Sequence, residues 1–149
     1  MKSRLVAATG IVLLAIFSTT GFAQDHSRNW ENGYVVTVSE IHVKDGMFNA
    51  YINDLNAGWR KFQEAQMEDG DIVSYGMYAA TSARKDEANL ILTVTYKNWA
   101  AFDRGVEYFE KLGAKIFGST DDMRTENINR GELRTLGSTY SLQEVKFKD

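Results

Sequence analysis

The chain has 149 residues, no cysteine, no proline and a formal net charge of −3. Disulfides, thiolate metal sites and a lipidated cysteine are therefore excluded. Mild acidity without a basic stripe argues against nucleic acid as a partner, because nothing is available to neutralise phosphates.

Residues 1 to 23 read as a secretory signal peptide. Lys2 and Arg4 form a basic start, Ile11 to Phe17 is an unbroken apolar run, and Gly21-Phe22-Ala23 places small residues where a signal peptidase reads. The competing reading is a membrane anchor, but Thr9, Gly10 and Ser18 to Gly21 dilute a stretch barely long enough to span. Cleavage after Ala23 predicts a periplasmic or secreted protein with no membrane attachment, and removing Lys2 and Arg4 takes the net charge from −3 to −5. Residues 24 to 33 are expected to form a flexible tail, and 34 to 149 one domain with a real core.

Within that tail, cleavage would leave Gln24-Asp25-His26 at the new N-terminus. A free amine, two backbone amides and the imidazole of His26 could wrap Cu(II) or Ni(II) in a square plane. A disordered tail explains the same residues, and cyclisation of Gln24 would remove the amine. No other cofactor is expected.

Tyr34 to Val43 predicts a first strand, closed by the turn Lys44-Asp45-Gly46. Its two faces both carry apolar residues, so it should be central. Glu40 and His42 share one face by alternation. They could form a general-base pair or bind a ligand carboxylate or metal, although a solvent-facing or interface role is the simpler reading. Phe48, Ile52, Leu55, Trp59 and Phe62 then recur at helical spacing up to Glu68-Asp69-Gly70.

Ile72 to Thr81 predicts the second strand and Leu90 to Tyr96 the third, joined through Arg84-Lys85-Asp86-Glu87. Asn98 can cap a helix running through Trp99, Phe102, Val106, Phe109 and Leu112. Ser119 and Asp122 suggest a capping box for a short extra helix over Asp121 to Arg130. The last strand falls within Gly137 to Phe147, with imperfect alternation that allows for a bulge.

The order strand-helix-strand, repeated, predicts an α+β, ferredoxin-like βαββαβ domain: one antiparallel sheet, two helices on one face, and a short extra C-terminal helix. In that topology the second strand lies at an edge. Ile72 to Ala83 holds no charge, and only Gly76 could interrupt it. So bare an edge, beside an apolar sheet face, predicts a homodimer, unless the C-terminal segment shelters it within one chain.

Val43-Lys44-Asp45-Gly46 is similar to the Val-Lys-Pro-Gly turn between first strand and first helix of the dimeric α/β-barrel superfamily, with Asp in place of Pro. Tyr96-Lys97-Asn98-Trp99-Ala100-Ala101-Phe102 resembles that superfamily's passage from third strand to second helix. The resemblance covers Tyr34 to Leu112 and a final strand. It extends to antibiotic-biosynthesis-monooxygenase-like domains and related secreted groups, and it implies a dimeric α/β barrel.

Haem-degrading members carry a histidine in the second helix, and Trp99 to Gly113 has none. Cofactor-free monooxygenases of the superfamily hold an aromatic substrate with Asn, Trp and Arg, which the resemblance would place at Asn98, Trp99 and Arg104. Trp99 would then stack on the substrate and Arg104 would steady an oxyanion. Capping explains Asn98 and core packing explains Trp99 more cheaply. Trp59, Phe62, Phe102 and Phe109 should pack between helices and sheet, where some could line a cavity for a small apolar or aromatic ligand; Tyr75 on the second strand joins that candidate pocket. Two readings follow: an exported small-molecule-binding or accessory protein, or a cofactor-independent monooxygenase acting on a small aromatic compound. Convergence of Glu40, His42, Asn98 and Arg104 on one cavity would favour the second.

Overall fold

A computed structural model describes residues 28–81 and 83–149. The signal-peptide segment and the Gln24-Asp25-His26 metal motif lie outside the described residues. Element order is β1 (Trp30–Val43), α1 (Phe48–Ala57), α2 (Trp59–Glu68), β2 (Ile72–Ala79), β3 (Leu90–Tyr96), a 3-10 turn (Trp99–Asp103), α3 (Val106–Phe117), α4 (Thr120–Asn129) and β4 (Arg134–Phe147). The four strands form one antiparallel sheet in the order β2-β3-β1-β4, the ferredoxin-like arrangement.

β1 begins at Trp30 rather than Tyr34, so the end of the expected tail belongs to the sheet. Trp30 pairs with Phe147 and Asn32 with Val145. The register then slips between Asn32 and Val35, which inserts Gly33 and Tyr34 as a bulge in β1. A second slip, between Ser39 and Ile41, puts the extra residue in β4 near Gly137, where the last strand's alternation fails. β2 carries its own slip between Ile72 and Ser74. The edge is therefore bulged at Val73, and Gly76 pairs in regular register with Thr93.

One sheet face holds the core. Ile41, Val43, Tyr51, Leu55, Leu90 and Leu92 form it, with Ile52, Trp59 and Leu133 packed against them. Asn89 extends the ladder with its side chain: Oδ1 accepts from the Val43 amide at 2.8 Å and Nδ2 donates to the Val43 carbonyl at 2.8 Å. The opposite face, by alternation and register, presents Val38, Ile91, Tyr78, Tyr140 and Leu142. No described helix covers that face, and Tyr78 and Leu142 are 61% and 51% exposed there. β4 pairs with β1 at the far edge, and β2 packs on β3 and α2, so the C-terminal segment does not shelter β2.

Two helices depart from the expected form. The first breaks at Gly58, which is buried, and continues as α2. A Cβ at Gly58 would stand 2.6 Å from Phe117 Cζ, so the missing side chain is where α3's last aromatic ring seats. The second is interrupted at Arg104 and Gly105: Trp99 to Asp103 is a 3-10 turn, and the α-helix starts only at Val106. This rotates Trp99 and Phe102 out of the core, where they are 52% and 42% exposed. Ser119 does cap α4, accepting from the Asp122 amide at 3.0 Å. The return bond runs from the Ser119 hydroxyl to Asp122 Oδ2 at 2.7 Å, because an Asp is too short to reach back to the backbone. Among the described residues no helix is long and apolar enough to cross a membrane.

Candidate functional site

Helical spacing places Ile52, Leu55, Asn56, Trp59 and Arg60 along one side of α1 and α2, and strand alternation brings Tyr75 and Met77 of β2 to meet them. Between them lies a cavity of about 370 Å3. Trp59 meets Tyr75 edge to face, with centroids 5.3 Å apart and an interplanar angle of 89°. The Tyr75 hydroxyl donates to Glu64 Oε1 at 3.2 Å. Arg60 Nε donates to the same oxygen at 2.8 Å, and Arg60 Nη1 donates to Asn56 Oδ1 at 3.2 Å. Asn56 at the end of α1 and Arg60 and Glu64 in α2 are spaced by four residues, so they bond to one another along one side across the Gly58 break.

The hydrogen bond from Arg60 holds the Glu64 carboxyl below the usual carboxylate range, against a smaller opposing effect of burial. Glu64 is thus an anion bound to its neighbours, with its charge matched by Arg60. The site offers an aromatic wall, aliphatic sides and a rim that is already bonded to itself. It can hold a flat apolar body and orient it by shape.

Of the sequence candidates, the structure brings Trp59 and Tyr75 together here. The others lie elsewhere. Asn98 caps the 3-10 turn, its Oδ1 accepting from the Ala100 amide at 3.0 Å. Trp99 Nε1 donates to Gln143 Oε1 at 2.7 Å, which ties the turn to β4. Phe102 rests on Tyr96 at 4.6 Å between centroids and on Trp99 at 5.5 Å. Asn98 and Arg104 border one open groove of about 350 Å3, and Asn98 and Trp99 border another of about 610 Å3.

Arg104 is committed to Asp71, with Nε at 2.8 Å and Nη2 at 3.2 Å from its two oxygens, and its guanidinium lies 4.8 Å from the Tyr108 ring centroid. Such a bidentate pair fixes the start of β2 to the α3 entry rather than awaiting an oxyanion. Glu40 and His42 lie on the opposite sheet face, beside the β4 bulge; a Cβ on Gly137 would stand 3.0 Å from Glu40 Cβ and from His42 Nε2. Glu40 and His42 therefore share no cavity with Asn98 and Arg104 within one chain. The strand places the first pair on the uncovered face and the β3–α3 connection places the second at the helix end of the sheet. Among the described residues no group of three His, Asp or Glu could hold a metal ion.

Next to Arg104, the Tyr108 hydroxyl donates to Asp69 Oδ2 at 2.6 Å. Burial first, then the bond to Asp69 and its charge, push the Tyr108 pKa from 10.0 up to about 12. The unfolded chain releases this proton first, so the folded state binds more protons between pH 10 and about 12, and stability falls as pH rises through that window. Tyr108→Phe is expected to lose this part of the alkaline slope in urea unfolding. A tyrosinate titration with Tyr108 ionising alongside exposed tyrosines would contradict it.

Gln63, Asp54 and Arg130 have structural weight that sequence reading missed. Gln63 is one of two buried polar residues among the described residues, at 6% exposure. Asp54 and Arg130, 76 residues apart, form an ion pair whose side chains are 17% and 10% exposed. No local pattern marks either feature.

No family model matches this chain, and no curated protein does. Solved structures do. A dimeric ferredoxin-like protein from an uncultured marine organism aligns with a TM-score of 0.50 at 14% identity, over 76% of this chain and 96% of that one. A protein of Shewanella oneidensis aligns at 0.47 and 17% identity, over 78% and 98%. A Chloroflexus aurantiacus protein described as a candidate antibiotic biosynthesis monooxygenase aligns at 0.44 and 12% identity, over 78% and 97%. The chain has the ferredoxin-like fold that its likeness to the dimeric α/β-barrel superfamily implied. At these identities the likeness speaks for the fold alone.

Proposed function

We propose that this chain is an exported, homodimeric binding protein for a small aromatic or apolar compound, with no chemistry of its own. The carrying observation is the cavity between α1–α2 and β2, whose Trp59–Tyr75 wall is held by a rim bonded to itself. Apolar burial supplies the affinity there, at roughly 25 cal/mol per Å2. A catalytic reading needs a base, acid or nucleophile aimed at the substrate. Asn98 Oδ1 is instead taken up by a cap and Arg104 Nε and Nη2 by an ion pair, so nothing favours the monooxygenase reading over binding.

Dimerisation has its own support. The uncovered sheet face carries Tyr78, Tyr140 and Leu142 in one apolar field, which a second copy would remove from water. The fold relative from the marine organism is itself described as dimeric. Export rests on the basic, apolar and small-residue order of residues 1 to 23.

Calorimetric titration of residues 24–149 with indole tests the binding reading. Saturable binding is expected, with a shift of the Met77 methyl signal in methionine-labelled protein. Tyr75→Ala should weaken it about tenfold, the scale of a lost aromatic contact. No heat of binding, or equal affinity in the folded variant, would refute the assignment.

A further inference from the structure

We propose that a second ligand site lies within the helical layer, and that it takes a small neutral hydroxy-aromatic compound. A cavity of about 290 Å3 sits between α2, the end of α3 and α4. It meets the helix–sheet cavity only at Trp59, which borders both. This site exists because the short extra helix packs over α1–α2 and α3.

The cavity is built by small residues and one ion pair. Gly58 lets the Phe117 ring seat over the α1–α2 break. Gly113 lets Met123 of α4 lie against α3, since a Cβ there would stand 2.1 Å from Met123 Sδ. Arg130 at the end of α4 bonds to Asp54 of α1. Trp59, Phe62, Phe117 and Met123 make the walls. A dry cavity of about 150 Å3 already holds benzene, so this volume admits a substituted ring.

The polar groups define the ligand. Gln63 lines the cavity at 6% exposure, and its Oε1 has no hydrogen-bond partner among the described residues. Gln66, also buried, is bonded through its Nε2, which donates to the Phe62 carbonyl at 3.3 Å. A buried acceptor left alone is rare enough in folded proteins to demand an explanation. Arg130 lines the same cavity. Its Nε is bonded to Asp54 and its Nη1 donates to Asn127 Oδ1 at 3.2 Å, while Nη2 stands 3.4 Å from where a Gly58 Cβ would be. Asp54 already neutralises the guanidinium, so the site calls for no anion. A hydroxyl answers both groups: its proton goes to the Gln63 carbonyl and its oxygen accepts from Arg130. The Gln63 oxygen is itself sealed from solvent, and a turn of the carboxamide about its broad last torsion is what presents it to the ligand.

Phenol and toluene are the probes, because they differ by the hydroxyl, and methyl-labelled methionines are the reporters. Met123 borders this cavity and Met77 borders the other. Phenol is expected to shift Met123 saturably and to bind about tenfold more tightly than toluene, the scale of one hydrogen bond to a buried acceptor. Gln63→Leu should erase that preference and leave the thermal midpoint unchanged or higher; Gln63→Met serves the same purpose should the branched side chain not fold. Equal affinity for the two probes in the wild type, or a preference that survives in a folded variant, overturns the proposal. A response at Met77 with none at Met123 also overturns it, while leaving the helix–sheet site intact.

Discussion

Asp54→Ala is expected to destabilise the domain by about 3 kcal/mol, the scale of leaving one half of a buried ion pair uncompensated. Arg130 is only 10% exposed at its side chain, so removing Asp54 leaves most of its guanidinium out of water without a counter-charge. Asn127 would remain as a neutral acceptor and cannot carry the charge. The loss is large against the roughly 5–15 kcal/mol that holds a domain together. Urea unfolding followed by circular dichroism measures it. The double variant Asp54→Leu with Arg130→Met should recover most of the loss, because the charge to be solvated is gone. A single-variant cost under about 0.5 kcal/mol, the range of exposed pairs, would mean that water reaches this pair.

Leu142→Glu is expected to turn the proposed dimer into a monomer. Leu142 lies on the uncovered face, paired with Val36 of β1 and 51% exposed in the isolated chain. A twofold interface uses the same patch from both subunits, so each substitution brings in two carboxylates. Burying them without partners should raise the dissociation constant at least about a hundredfold. Val106→Glu is the control: Val106 is 68% exposed at the start of α3, outside that face, and an acidic residue suits a first helical turn. Sedimentation velocity of residues 24–149 separates the outcomes. A monomeric wild-type protein at micromolar concentration would remove the dimer from the proposed function.

Much of the fold was legible because strands and helices write their own periods. Leu90, Leu92, Val94 and Tyr96 alternate onto one face, and Asn98 and Ser119 cap as their residue types suggest. The reading failed where a local pattern has two packings. Trp99, Phe102 and Val106 fit a helical stripe, yet with the break at Arg104–Gly105 all three face solvent, and Trp99 bonds to Gln143 of β4, 44 residues away. The candidate site was half legible. Trp59 and Tyr75 meet because a helix face and a strand face must close on each other, whereas Glu40 and His42 fell on the other side of the same sheet.

The order of strands and helices and the caps at Asn98 and Ser119 were settled by the chain alone, since each depends on residues within a turn or two of one another. The kink at Gly58, the pairing of Asp54 with Arg130 and the lone carbonyl of Gln63 belong to the tertiary structure. They depend on which distant surfaces come into contact, and on whether a polar atom finds a partner once they have. That is a property of the packed whole, with no period or spacing to announce it.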